Sequence, residues 1–372
     1  MGTWLKASLT KRRGLTSHTE IVNKIGFSAF VLSFAGVCLA QTAGSGVVDV
    51  SPRVGVIEVF GARKVAVHKI LLALAAKPGD PLPGAEAAED RINKVGGVLA
   101  SRLEAVCCAS GGQMILYVGV EERDAPRLEF NPVPTGDARL PNALYDGYLS
   151  LLETAEGSIR GRNADEDLTN GYSLMADPDG RIIQQGFIPL AEENLKLLDQ
   201  VVRESADPEQ RAAAAYLLQY GPRGRSSKII ADALQYAVRD QEDVVRKSAM
   251  RALRAVTVGA KLHPEQGMTI EPTWFVEMLN SVVWSDRRSA SQELVELSED
   301  RKPETLELIR ERALSSVVEM ARWHTLDHAL PAFILAGRIG GFDEKQIKDA
   351  WSREDRESIL SELTEKKGKK RK

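Results

Sequence analysis

Between Val54 and Glu122 the apolar period changes from two to 3.6 and back, and each change is marked by glycine or proline. No other feature limits the fold as strongly, because period two belongs to a half-buried strand and period 3.6 to an amphipathic helix. VGVIEVFGARKV opens the stretch with Val54, Val56 and Phe60 and is broken at Gly61. VHKILLALAAKPGDPL follows as a short helix that stops at Lys77-Pro78-Gly79-Asp80, and EAAEDRINKVGG gives a second helix ending at Gly96-Gly97. RLEAVCCASGGQMILYVGVEER then reads as two strands joined at Ser110-Gly111-Gly112. The expected element order is βααββ.

Three motifs within this order resemble the POTRA (polypeptide-transport-associated) family. The first strand carries Val56-Ile57-Glu58-Val59-Phe60-Gly61 and then Val65, the turn carries Lys77, Gly79, Asp80 and Leu82, and the last strand ends Leu116-Tyr117-Val118-Gly119-Val120-Glu121-Glu122-Arg123. The second strand departs from the family, with Cys107-Cys108 where Gly-x-Phe is common. The resemblance covers residues 47–127. It implies a small module outside a bacterial inner membrane that handles other polypeptides and carries no chemistry of its own. It also implies that the second strand, about Arg102 to Cys108, forms the border of the sheet. There Leu103, Ala105, Val106 and Cys107 are the candidate partner-binding residues, since a border strand offers unpaired N–H and C=O groups to an extended segment.

Residues 128–142, EFNPVPTGDARLPN and its neighbours, are punctuated by proline and glycine and read as a linker or a loop beside the first domain. The remainder, residues 143–365, reads helical, with Leu144, Tyr148, Leu151 and Leu152 at helical spacing from Ala143 to Glu156, and another such run from Glu193 to Arg203. A repeat then appears: Arg211, Ala214 and Leu218 recur as Arg246, Ala249 and Leu253, and again as Arg287, Ala290 and Leu294, with a degenerate copy around Leu335. Asp243-Val244-Val245-Arg246-Lys247-Ser248-Ala249-Met250-Arg251-Ala252-Leu253 resembles the signature helix of HEAT repeats, which implies stacked helix pairs that share one continuous core. The fold class expected is therefore α+β: a POTRA-like βααββ domain followed by an all-α, HEAT-like solenoid.

Charge is unevenly placed. The chain is −3 overall, yet residues 1–40 hold five basic residues against Glu20, and residues 366–372 hold six basic residues and no acid, so the body between is −13. An acidic body argues against a nucleic-acid partner, which needs a clustered basic surface. Ile25 to Ala40 is an uncharged run of 16 residues, short of the roughly 20 a spanning helix needs. With Cys38-Leu39-Ala40 before Gln41 it reads as a signal peptide over 1–40 and an exported, periplasmic chain. The alternative is an inner-membrane anchor formed by residues 25–40. The basic tail, 366–372, is expected to be disordered and to touch an anionic membrane surface.

Candidate chemistry is sparse. His324 and His328 lie four apart, but without H-E-x-x-H they make no metal signature, and Leu330-Pro331 suggests a helix boundary with Asp327 as its cap. Asp165-Glu166-Asp167 and Glu121-Glu122 read as solvated surface. Adjacent residues of a strand face opposite ways, so Cys107 and Cys108 are not expected to pair with each other. No phosphate-binding loop, nucleophile elbow or dinucleotide fingerprint is present in the sequence. No cofactor, metal or catalytic residue is assigned. The expected function is a non-catalytic envelope scaffold for polypeptide partners, with a HEAT-like lyase enzyme or enzyme subunit as the alternative. The leader reading makes a direct prediction: N-terminal sequencing of the native protein should begin near Gln41. Intact Met1 in the cytosol would refute export, and intact Met1 in membranes would establish the anchor.

Overall fold

The structure, a computed structural model, describes residues 52–123, 125, 127–160 and 165–369. The leader expected at 1–40 and the last three residues of the tail lie outside them. The chain divides into two compact units, one that runs to Pro126 and also takes in Val282–Trp284, and one that comprises Arg127–Ser281 and continues from Ser285.

The first unit runs β1 (Val54–Phe60), α1 (Val67–Leu74), α2 (Ala85–Asn93), β2 (Val98–Cys107) and β3 (Met114–Glu122). Its three strands lie in the order β1-β3-β2, with β1 parallel and β2 antiparallel to β3. The parallel pair requires a crossover, which the two helices supply. Ile70 and Leu74 of α1 and Ala88 and Ile92 of α2 bury their faces on Leu116, Val118 and Val120 of the central strand. α1 stops at Leu74, a turn earlier than the expected break at Lys77, because Ala75 takes a left-handed conformation and returns its N–H to Leu71. Gly97 is needed before β2: its φ is +97, and a Cβ there would meet Val65 Cγ2 at 2.9 Å.

Glu122, expected at the surface, is buried at the end of β3. One of its oxygens accepts the backbone N–H groups of Arg63, Lys64 and Val65 at 2.8, 2.7 and 2.8 Å. Burial alone would raise this carboxyl, but the three donors, with Lys64 nearby, outweigh it and hold Glu122 below the usual carboxylate range. The carboxylate thereby ties the loop between β1 and α1 to the far end of the sheet.

In the second unit the proline-punctuated stretch is not a free linker. The Asn131 side chain donates to the Tyr236 carbonyl at 2.7 Å and its backbone N–H to the Arg239 carbonyl at 2.7 Å, Gly136 N–H donates to the Glu204 carbonyl while its own carbonyl accepts Ala206 N–H, and Leu140 N–H reaches Gln210. Its backbone polar groups are satisfied by the helices it crosses, so it is a strap on the helical unit. α3 (Asn142–Arg160) continues through Gly157, which had been expected to break it. A two-stranded hairpin, β4 (Glu166–Asp167) and β5 (Leu174–Met175), and α4 (Pro178–Glu193) follow; the sequence reading contained neither. Asp177 caps α4 by accepting the N–H groups of Asp179 and Gly180, ahead of Pro178 at the first helical position.

From Leu195 the helices alternate in pairs. α5 (Leu195–Glu204), α7 (Ser227–Ala237), α9 (Thr273–Met278), α11 (Pro303–Ala321) and α13 (Glu344–Ser352) lead each pair. α6 (Pro208–Leu217), α8 (Asp243–Leu262), α10 (Trp284–Leu297), α12 (Leu326–Gly340) and α14 (Glu357–Lys369) follow them. α5 packs on α6 and α7, α6 on α8, and α12 on α11, α13 and α14. α14 extends to Lys369, so most of the basic tail is helical backbone rather than the expected disordered segment. The helix boundary expected in this stretch occurs, since α11 ends at Ala321 and α12 begins at Leu326, but the N-cap is Thr325 and not Asp327, and Pro331 lies inside α12.

The repeated arginines hold this stack together. Arg211, the fourth residue of α6, places Nε and Nη2 on the two oxygens of Asp240 at 2.7 and 2.9 Å and Nη1 on the Ser205 carbonyl at 2.9 Å. Arg246, the fourth residue of α8, repeats this with Asp286 and with the carbonyls of Asp240 and Gln241. Arg287, the fourth residue of α10, uses the Ser281 carbonyl and Glu319. All three arginines are buried. Arg246→Ala should cost about 3–5 kcal/mol, because Asp286 is left buried without its cation. A double change, Arg246→Met with Asp286→Leu, should cost far less. Denaturant midpoints of the two full-length variants check this.

Candidate functional site

The first candidate is the outer edge of β2. Among the described residues β2 pairs only with β3, through Leu103 to Val118, Ala105 to Leu116, Val106 to Ile115 and Cys107 to Met114. Leu103 N–H points away from β3 and is taken by Glu89 of α2 at 2.8 Å. Strand alternation then sets the backbone groups of Ala105 and Cys107 on the same outer edge and those of Val106 toward β3. Glu89 also receives Arg102 at 3.1 Å, and Ser101 Oγ donates to Asn93 at 2.8 Å and to the Glu89 carbonyl. α2 thus closes the edge at 101–103 and leaves 105–107 beyond the reach of these contacts.

The four expected edge residues are not equivalent. Leu103 and Ala105 pack their side chains on the core of the same unit, and Val106 is buried on the opposite face. Their side chains lie on the two faces of the sheet and not along its edge. What the edge offers at Ala105 and Cys107 is backbone. Cys107 is exposed and is bonded to Cys108, contrary to the expectation that the two would not pair. The alternation argument fails because β2 ends at Cys107. Glu89 carried no signal in the sequence, since nothing in a helical pattern marks the one carboxylate that faces a strand edge.

A second group of polar residues is buried in the helical unit. Glu166 on β4 accepts Arg251 at 2.5 Å and the Ser173 hydroxyl at 2.6 Å. Gln184 of α4 joins Ser173, Tyr216 and the Met175 N–H, and Tyr220 donates to the Ser173 carbonyl at 2.9 Å. Glu166 is therefore no surface residue. Burial would raise its carboxyl, but Arg251 first and Ser173 next hold it below its ordinary value. Glu293 of α10, also buried, accepts the Thr257 hydroxyl. Its carboxyl is pushed up to about 7, first by burial and then by Glu296, against the lowering effect of Thr257, Arg254 and Lys261.

The histidines do not converge. His324 is exposed and lies outside α12, whereas His328 is buried in its first turn and is pushed down to about 3 by burial and then by Arg288. The two therefore share no helix face. No group of three or more potential metal ligands occurs among the described residues. Each of these buried carboxyl groups accepts a hydroxyl, Ser173 for Glu166 and Thr257 for Glu293; Glu166 fastens the β4–β5 hairpin to the helices, and Glu293 binds α10 to α8.

Glu293 makes stability depend on pH in a defined sense. The folded carboxyl stays protonated up to about 7, while the unfolded one ionises near 4.5. Between these values the folded state binds the extra proton, so stability falls as pH rises. Relative to Glu293→Gln, which keeps the acceptor for Thr257 and cannot ionise, the wild-type chain should lose roughly 2–3 kcal/mol between pH 4.5 and 7. Denaturant unfolding of both proteins across that range checks the sign.

Comparison of the chain with family models, curated proteins and solved structures gives no match.

Proposed function

We propose that the chain is a non-catalytic scaffold of a bacterial envelope, in which a POTRA-like unit captures an extended polypeptide segment on β2 and a HEAT-like helical unit offers a second protein-binding surface. The single observation that carries the reading is the position of β2 at the border of its sheet, with α2 covering residues 101–103 and not the stretch from Ala105 to Cys107. An incoming strand satisfies such backbone groups with its own, and main-chain pairing supplies most of the affinity. The apolar run at residues 25–40 and the basic residues before it support export, and the repeated Arg-x-x-Ala pattern supports the HEAT-like reading.

Two proline substitutions test the capture mode because their N–H groups point in opposite directions. Ala105→Pro removes an outward donor and should leave the unit folded while reducing crosslinked partner recovered from envelope fractions. Val106→Pro removes a donor facing β3 and should destabilise the sheet itself. Glu89→Ala uncovers Leu103 N–H and should increase recovery. Undiminished capture by folded Ala105→Pro would move the search to the helical surface.

A further inference from the structure

We propose that the outer face of α1 docks on an anionic lipid surface, a contact distinct from the polypeptide capture assigned to β2. α1 buries Ile70 and Leu74 and turns Val67, Leu71 and Leu72 outward; Leu72 is 76% exposed and Val67 43%. At 100° per residue, Val67, Leu71, His68 and Leu72 form one contiguous stripe, bounded by Lys69. Leu72 is the most exposed large hydrophobic side chain among the described residues, and with Val67 and Leu71 it makes a patch and not a lone exposed leucine.

The charge around the stripe differs in sign from the body of the protein. Gly61 to Leu82 carries Arg63, Lys64, Lys69 and Lys77 against Asp80 alone, whereas the chain between its two basic ends is −13. Arg63 and Lys64 lie just before α1 and Lys77 just after it, so cations flank both ends of the apolar stripe. Apolar side chains framed by cations are the composition that settles at the headgroup boundary of an anionic bilayer.

The test uses the full chain with Leu72→Cys carrying a nitroxide and Cys38→Ser, since Cys107 and Cys108 are bonded to each other. On vesicles of phosphatidylethanolamine and phosphatidylglycerol, the label should gain accessibility to oxygen relative to a water-soluble nickel chelate by about fivefold over neutral phosphatidylcholine vesicles, and lose that gain in high salt. The same label at Arg102→Cys should stay in water. Lys69→Glu with Lys77→Glu should abolish the shift at position 72. A label at 72 that stays in water while the chain floats with the anionic vesicles would overturn the proposal. So would shielding without lipid that grows with protein concentration, which would make the covering surface a second copy of the chain.

Discussion

The helical unit depends on a guanidinium in the first turn of successive second helices. Arg211, Arg246 and Arg287 each reach back six residues to a turn carbonyl, at Ser205, Asp240 and Ser281, and forward to an acid of the next layer. The fork geometry fixes two directions at once, which a lysine could not do. Desolvating such pairs offsets most of their attraction, so their contribution lies less in net stability than in fixing which layer follows which and at what register. α12 has Ala329 in the arginine's position, and the ladder changes form there. Arg356, just before α14, takes over by donating to the Ala321 and Trp323 carbonyls at 2.8 Å. The small Ala214, Ala249, Ala290 and Ala332, all buried, let the helices approach closely enough for the forks to reach.

The same economy of buried charge appears at the border of the sheet. An open edge invites pairing with any extended chain, and proteins that keep one restrict its length. Here a single carboxylate does so. Glu89 occupies Leu103 N–H with one oxygen and holds Arg102 with the other, while Ser101 is tied to α2. Only the end of the strand near the β2–β3 turn stays beyond these contacts. A short edge suits capture of a few residues of an extended segment and disfavours indefinite strand addition.

Regular periodicity made the α+β class and the order βααββ legible in the sequence. Val54, Val56 and Phe60 at period two, and the arginines at intervals of 35 and 41, each carry a signal that survives without knowledge of the partner. What stayed hidden depends on contacts distant in the chain. Glu122 and Glu166 look like surface acids until the three N–H groups of residues 63–65 and Arg251 are brought to them. The strap at 127–141 reads as a linker because its partners, Glu204, Gln210, Tyr236 and Arg239, lie far along the chain. Pro331 marks a nearby helix start but not its position, since α12 begins five residues earlier, at Leu326, with Thr325 and not Asp327 as its cap. Cys107 and Cys108 mislead because the alternation rule stops where the strand does.

Two carboxyl groups at similar depth, Glu166 and Glu293, show how the helical unit separates charge from neutrality. Burial raises both. Glu166 meets the Arg251 guanidinium directly, and this contact together with the Ser173 hydroxyl keeps it ionised. Glu293 meets the Thr257 hydroxyl directly, and its nearby cations, Arg254 and Lys261, are opposed by Glu296. Lys261 is itself committed to Glu296 and Glu299 at 2.7 and 2.8 Å, so little of its field is left for Glu293. The contrast rests on the number of cations relative to acids in each layer and not on depth. Arg251 sits three residues before Arg254 on α8, and both guanidinium groups lie in the field of Glu166. Arg254 lies in the field of Glu166 first and of Glu293 and Glu296 next, so the two guanidinium groups of α8 together hold Glu166 ionised and leave Glu293 to take up its proton at about 7.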